Sequence, residues 1–577
     1  MNAGTGGSDD RAGQPPNPWH RGDLLAGITV AAYLVPQCLA YGELAGLPPV
    51  TGLWTILPAL LLYPLVGRSP QLSVGPETST ALMTAAVVTP LAAGDPARAI
   101  ALASLLALLV GLLCGLGAAL RLGFLADLLS KPILVGYLAG VAVLMISGQL
   151  HALLGTGERA DTLLEAVRQR LLTQGAVHGP TVALALAALA LMLALGRWAP
   201  GWPAPLLAVL LASAAVPLLH LDQRGVVLIG AIPGGLPWPR LPPAVDLQAL
   251  RPLLTGALGI ALVGYSDTVL TGRSFAQRRG RRLEADRELL ALALVNAGSG
   301  LFQGFPASCS NTRTALADAA GCRSQRYALV AAAVTGLVLV GLRPLMSQFP
   351  RPALAAIVVF AALRLLDPEA FVRLWRFRPS ECLLALGTLA GVLLTGLLTG
   401  VALAVGLSVV ALFGRLARPH AAVMGEVPGL AGYHNVEDWD GGRTIPGLVL
   451  FRYDAPLCFA NAEDFRRRAL AAVDGASPPA EWLVINAEAI VEIDSTAAEM
   501  LLALPLELAG RGVRLGLARV KRKLQEQLAT AGVLDRVGPD HVYPTIPTAV
   551  AAFFARQEPR KAEIKENGTT SSEARSG

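Results

Sequence analysis

Apolar runs of about 20 residues, the length that crosses the hydrocarbon core of a bilayer as one helix, recur from Leu24 to Phe413. They predict fourteen crossing segments, at 24–42, 46–66, 76–91, 98–120, 131–150, 179–196, 203–219, 253–271, 287–304, 310–321, 327–343, 352–366, 380–397 and 398–414. The third and tenth are short and polar, so hydropathy alone passes over both. Residues 1–20 are rich in Gly, Pro and Asp and lack the apolar core of a secretory signal. They are expected to form a disordered cytoplasmic tail.

Residues 21–418 therefore read as a transmembrane domain, and the period changes after it. From Pro446, "GLVLFRY", "EWLVINAE" and "VRLGLARV" read as strands, while "NAEDFRRRALAAV", "STAAEMLLALPLELAGRG" and "RKLQEQLATAGVLD" read as helices. That alternation predicts a soluble α/β domain over 422–555, with helices laid on a sheet and a second disordered tail at 556–577.

Composition agrees: 53% of the 577 residues are hydrophobic, 15% are charged and mean hydropathy is +0.53. Arginine marks the sidedness. With the N-terminus inside, even-numbered spans are followed by cytoplasmic loops, and Arg68, Arg121, Lys131, Arg197, the Arg273–Arg287 cluster, Arg323, Arg326, Arg373, Arg376, Arg378, Arg415 and Arg418 all follow even spans, the exceptions lying mainly in two longer external segments, 151–178 and 220–252, that mix both signs. This distribution accounts for the net charge of +6 without nucleic acid as a partner. The six cysteines show no CxxC spacing, so neither a disulfide framework nor a zinc site is indicated. No GxxxxGK[ST] or HExxH pattern occurs, and none of the five lysines follows a Gly-rich loop, which argues against an ATP-driven pump or an enzyme.

The two short polar spans echo one another. "TSTALMTAA" from Thr78 aligns without gaps to "TRTALADAA" from Thr312, 234 positions on, and each follows helix-breaking residues, Gly75-Pro76 and Phe305-Pro306. Each half also carries one polar residue in the middle of its first span, Gln37 and Asp267. Inverted repeats with broken helices meeting at mid-membrane are a common transporter design. Half-helices beginning there would aim unpaired N–H groups and positive dipole ends into a shared cavity. Arg313 adds a full charge, and the hydroxyls of Ser308, Ser310, Thr312 and Thr314 could replace part of an anion's hydration shell. Exposing Arg313 to lipid would cost at least a few kcal/mol, so it should face inward.

The motifs "PQCLAYGELAGLPPVTGLW", "YPLVGRSPQLSVGPE", "GFPASCSNTRTAL" and "VINAEAIVEIDSTAAEML" resemble the sulfate permease family of anion transporters and exchangers over roughly Arg21 to Phe553. The resemblance implies a seven-plus-seven inverted repeat, with a core domain (spans one to four and eight to eleven) moving against a gate domain. It also implies a homodimer and a cytoplasmic STAS domain. By family analogy the anion lies between half-helices three and ten, held by Gln37 and Tyr41 on span one, Gly75 and Thr78 at span three, and Ser310, Thr312 and Arg313 at span ten. Asp267 with Thr271 matches the pair that ligates Na⁺ in sodium-coupled bicarbonate members; pairing with Arg313 is the plainer role for Asp267.

Glu77 departs from better-known members, which carry an uncharged residue there. It can cap the helix, or take up a proton together with the anion. Glu43 is expected to be solvent-exposed. Ser495 and Thr496 sit where bacterial regulatory relatives of the STAS domain are phosphorylated, although capping by Asp494 or Ser495 explains the motif more simply. The expected function is secondary active transport of a small oxyanion across the cell membrane, sulfate first, with H⁺ or Na⁺ as coupling ion and no other cofactor. Bicarbonate or dicarboxylate transport, a passive channel, and a sensor reporting to the C-terminal domain are the alternatives.

Overall fold

The computed structural model describes residues 20–124, 130–156, 177–199, 202–230, 236–243, 246–278 and 282–556. Both expected tails lie almost entirely outside these residues, as do residues 279–281 of the arginine cluster. Two compact units result, residues 1–408 and 409–577.

The first unit is helical. Its elements are α1 (Arg21–Leu44), α2 (Thr51–Val66), β1 (Val74–Gly75), α3 (Thr78–Ala92), α4 (Pro96–Ala119), α5 (Lys131–Leu154), α6 (Gly179–Trp198), α7 (Ala204–Leu218), α8 (Leu247–Arg278), α9 (Ala285–Leu301), β2 (Ser308–Cys309), α10 (Asn311–Ala319), α11 (Arg326–Gly341), α12 (Arg343–Met346), α13 (Arg351–Leu365), α14 (Pro368–Phe377), α15 (Pro379–Thr395) and the first part of α16 (Leu397–Ala417), which crosses the boundary at residue 408. Among the described residues, five helices, including α1, α4, α5 and α6, are long and apolar enough to cross a membrane, and several shorter apolar helices accompany them.

Helix starts follow local chemistry. Asp95 accepts a hydrogen bond from Ala97 N ahead of Pro96 at the first position of α4, the arrangement that satisfies leading N–H groups and presets φ. Small residues set the closest crossings: a Cβ on Gly52 of α2 would lie 1.8 Å from the Cys38 carbonyl oxygen of α1, so these backbones touch only because glycine is there.

Helix packing falls into two groups. α1 packs on α2, α10 and α11, and α8 on α3 and α4, while α4 and α9 pack together. In the second, α5 packs on α13 and α15, and α13 on α6, while α1 links the two groups by packing on α7 and α13. Joining the halves of the first group are the two shortest elements. β1 and β2 pair antiparallel, Val74 opposite Cys309 and Gly75 opposite Ser308. They stand 234 positions apart, the spacing of the echoed motifs, so each residue pairs with the counterpart of its own neighbour.

The second unit holds a six-stranded sheet in the order β4-β3-β5-β6-β7-β8, formed by β3 (Ala421–Glu426), β4 (Tyr433–Asn435), β5 (Leu448–Tyr453), β6 (Trp482–Asn486), β7 (Arg514–Ala518) and β8 (Val542–Tyr543). β5 to β8 run parallel and β3 is antiparallel to both its neighbours. α17 (Ala462–Asp474), α18 (Ser495–Ala509), α19 (Arg522–Thr530) and α20 (Val533–Val537) cover one face through Phe465, Leu504 and Leu528. The helix Ile546–Arg556 covers the other through Ile546, Val550 and Phe553 against Trp482 and Leu448. The β3–β4 hairpin, β8 and this last helix are additions to the sequence reading: their segments are short, and tertiary pairing decides them.

Candidate functional site

The ladder of β1 and β2 brings the N-termini of α3 and α10 together, because each helix starts two or three residues after its strand. The irregular backbone around it is satisfied by side chains, as it must be away from water. Asn296 of α9 accepts from Ala307 N at 2.8 Å and donates to Ala307 O at 3.1 Å. Thr55 Oγ1 accepts from Phe305 N at 2.9 Å, Thr268 Oγ1 from Cys309 N at 3.3 Å, and Thr314 Oγ1 from Ser73 N at 3.1 Å. Gln325 Nε2 donates to Ser69 O at 2.6 Å and to Leu72 O at 2.9 Å.

Arg313 points into this junction and is fully buried. Its Nη1 donates to Gln37 Oε1 at 3.1 Å and its Nε to Ser73 Oγ at 3.3 Å, while Nη2 has no partner. Gln37 Nε2 donates to the Tyr41 hydroxyl at 2.8 Å, and Thr78 Oγ1 donates to the same oxygen at 2.9 Å. A continuous chain thus joins Arg313, Gln37, Tyr41 and Thr78. Gly75 closes it: a Cβ there would meet Ile56 Cδ1 at 2.0 Å and Arg313 Nη2 at 3.3 Å. Ser310 is buried at the N-cap of α10 without a side-chain cap bond, and Thr312 is half-buried in the first turn. Ser308 Oγ, beside them, is buried and also lacks a partner. A buried donor left unsatisfied costs about 1–3 kcal/mol. Two such groups at an uncapped helix N-terminus are what an anion would satisfy.

The acidic residues differ from one another. Glu77 caps α3: its Oε2 accepts from Ser79 N at 2.8 Å and from Ser79 Oγ at 3.0 Å. Asp267, half-buried on α8, faces the same Ser79 Oγ at 3.4 Å. Arg313 has neutral partners, so the pairing of Asp267 with Arg313 is corrected: Asp267 reaches α3, not α10. Thr271 is buried one turn beyond Asp267. Glu43 is also corrected. It is half-buried, 3.6 Å from the Arg351 guanidinium.

Ser73, Thr55, Asn296, Thr268 and Gln325 are absent from the sequence-based site. Asn296, an amide inside an apolar run, was the one visible signal. In the second unit Ser495 and Thr496 are exposed at the start of α18, whose cap is Asp494: Oδ1 accepts from Ala497 N at 2.8 Å and Oδ2 from Phe459 N at 2.7 Å.

Comparison with known proteins follows this division. The profile of the sulfate permease family matches residues 21–388, and that of the STAS domain matches 443–549. Two Mycobacterium tuberculosis proteins, each described as a "probable sulfate transporter", are 51% identical over 538 residues, 93% of this chain and 96% of theirs. Sulfate transporter 3.1 of Arabidopsis thaliana is 27% identical, over 92% of this chain and 84% of its own. The solved murine solute carrier 26 family member A9 anion transporter, in its inward-facing state, matches with TM-score 0.84 at 21% identity, covering 94% of this chain and 93% of that one. The transmembrane domain of a cyanobacterium bicarbonate transporter matches with TM-score 0.57 at 23% identity, over 68% of this chain and 96% of that one.

Proposed function

The chain belongs to the sulfate permease family, with a C-terminal STAS domain, and from that premise we propose that it is a secondary active transporter of a small inorganic oxyanion, sulfate first. The observation that carries this reading is the buried Arg313 with its free Nη2, set at the uncapped N-terminus of α10 and facing the N-terminus of α3. Gln37, Tyr41, Gly75, Thr78, Ser310 and Thr312 complete the proposed anion site, joined by Ser73 and Ser308. The names of the similar proteins from Mycobacterium tuberculosis and Arabidopsis thaliana favour sulfate.

The reading includes fourteen spans in two inverted halves, for which the symmetric pairing of β1 with β2 is the best support. It takes the packing group built on α1, α4, α8 and α9 as the body that moves, elevator-like, against the group built on α5, α6 and α13. The N-terminus and STAS domain face the cytoplasm, the chain works as a homodimer in the cell membrane, and it performs no enzymatic reaction. Ser495 and Thr496, exposed at a helix start, remain the proposed regulatory positions.

Coupling is assigned to Glu77. Its carboxylate occupies the α3 N-terminus, where it competes with and repels an anion. A proton taken up with the substrate removes that charge, giving H⁺ symport. Asp267 and Thr271 form the second candidate, a Na⁺ site.

Purified protein in liposomes, supplied with labelled sulfate, bicarbonate or succinate under separate H⁺ and Na⁺ gradients, tests substrate and coupling together. Arg313→Gln should weaken substrate affinity about 10- to 150-fold, the equivalent of a charge-assisted hydrogen bond at about 1.5–3 kcal/mol. Unchanged affinity would remove the proposed site. Glu77→Gln should abolish the effect of a pH gradient while leaving substrate exchange intact.

A further inference from the structure

The segment joining α13 to α15 contains Arg373, Arg376 and Arg378, which the sequence reading uses only as markers of sidedness. The structure gives them different surroundings. α14 divides into three strips. Ala370 and Leu374 are buried, and Leu374 and the partly buried Phe371 cluster with Cys382 and Ala385 of α15 and Val135 of α5. Asp367, Glu369 and Arg373 form an ion-paired strip with one carboxylate in excess, Arg373 at 2.8 Å from Asp367 and 3.3 Å from Glu369.

The third strip is apolar and uncovered: Val372 and Trp375, three residues apart on one face, are 50% and 55% exposed, and Phe377, the last residue of the helix, is 74% exposed. Bordering it are Arg376 and Arg378, which have no ion-pair partner among the described residues; the Arg378 guanidinium lies 6.0 Å from the centre of the Phe377 ring.

Two observations indicate what covers this strip. The next helix, α15, also exposes apolar residues, Leu383 and Leu386 at 61% and 43%, and is read as crossing the bilayer, so α14 is tethered at its mouth. In addition, exposed Trp and Phe bordered by Arg on a short amphipathic helix is the composition that the bilayer–water interface selects. Pairing of Arg373 with two carboxylates leaves Arg376 and Arg378 as the cations on which contact with an anionic leaflet would rest.

We propose that α14 lies in the plane of the membrane interface, with Trp375 and Phe377 among the lipid chains near the headgroups and Arg376 and Arg378 holding the phosphates of anionic lipids.

The full-length protein, reconstituted in mixed vesicles of phosphatidylcholine and phosphatidylglycerol, tests this. Emission from Trp375 is the difference between wild type and Trp375→Phe. Chains brominated close to the headgroup should quench it, and aqueous iodide should not. Brominated phosphatidylglycerol should quench more strongly than brominated phosphatidylcholine. That preference should fall about fivefold for each arginine replaced in Arg376→Gln and Arg378→Gln, the equivalent of about 1 kcal/mol per basic residue near an anionic surface. Both changes are at exposed positions, and gel filtration of the variants checks that they remain folded. Quenching by iodide alone, equal quenching by both lipids, or quenching by neither iodide nor lipid, as when a second copy or another protein covers the helix, would each overturn the proposal.

Discussion

Arg313 sits in the protein interior with two neutral acceptors and one open donor. Charge alone does not describe that arrangement, because Nε and Nη1 fix the plane of the guanidinium and thereby aim Nη2. Arg313→Lys should therefore retain the charge yet lose the fork, and substrate affinity should fall by about tenfold or more in equilibrium binding. Gly75→Ala tests the same geometry from the opposite side. The added methyl meets Ile56 Cδ1 and crowds Nη2; the isoleucine tip can turn aside, so the expected result is a folded protein with weakened binding. Ile56→Val in the same chain should restore part of it, as measured by competition with labelled sulfate.

Elements matter where backbone regularity fails. The stretch ahead of α10 has no helix or long sheet to satisfy it, and Asn296 replaces a missing strand for Ala307, accepting from its N–H and donating to its carbonyl. Asn296→Ala leaves both groups buried without partners, which costs about 1–3 kcal/mol for each. It should lower the thermal midpoint of the purified protein and weaken binding together, since α10 loses its fixed start. In the second unit Asp494 caps α18 and ties Phe459 N to it. Asp494→Ala should destabilise that unit by about 1 kcal/mol, read in a melt of the STAS domain. Ser495→Ala should have little effect on stability, because Ser495 is exposed and Asp494 supplies the cap.

At the scale of the whole molecule, all the proposed binding residues lie within residues 1–408, which have their own apolar core, while the sheet of the second unit has separate clusters on its two faces. Removing residues 422–577 should leave substrate affinity unchanged within assay error. A loss of affinity would mean that the STAS domain helps to build the site. The sequence alone determined the helical membrane unit, the α/β domain and the short polar third and tenth segments, because each is written in local periodicity and in the repeated Thr78 and Thr312 motifs. Tertiary structure alone decided that Ser73 and Gln37 share Arg313, that Asp267 faces Ser79 across to α3, and that Asn296, Thr55 and Thr268 support the broken backbone. The physical reason is sequence distance: hydrogen-bond partners such as Ser73 and Arg313, 240 positions apart, leave no periodic trace in the chain, and only packing of the two halves around a common ladder selects which polar groups meet.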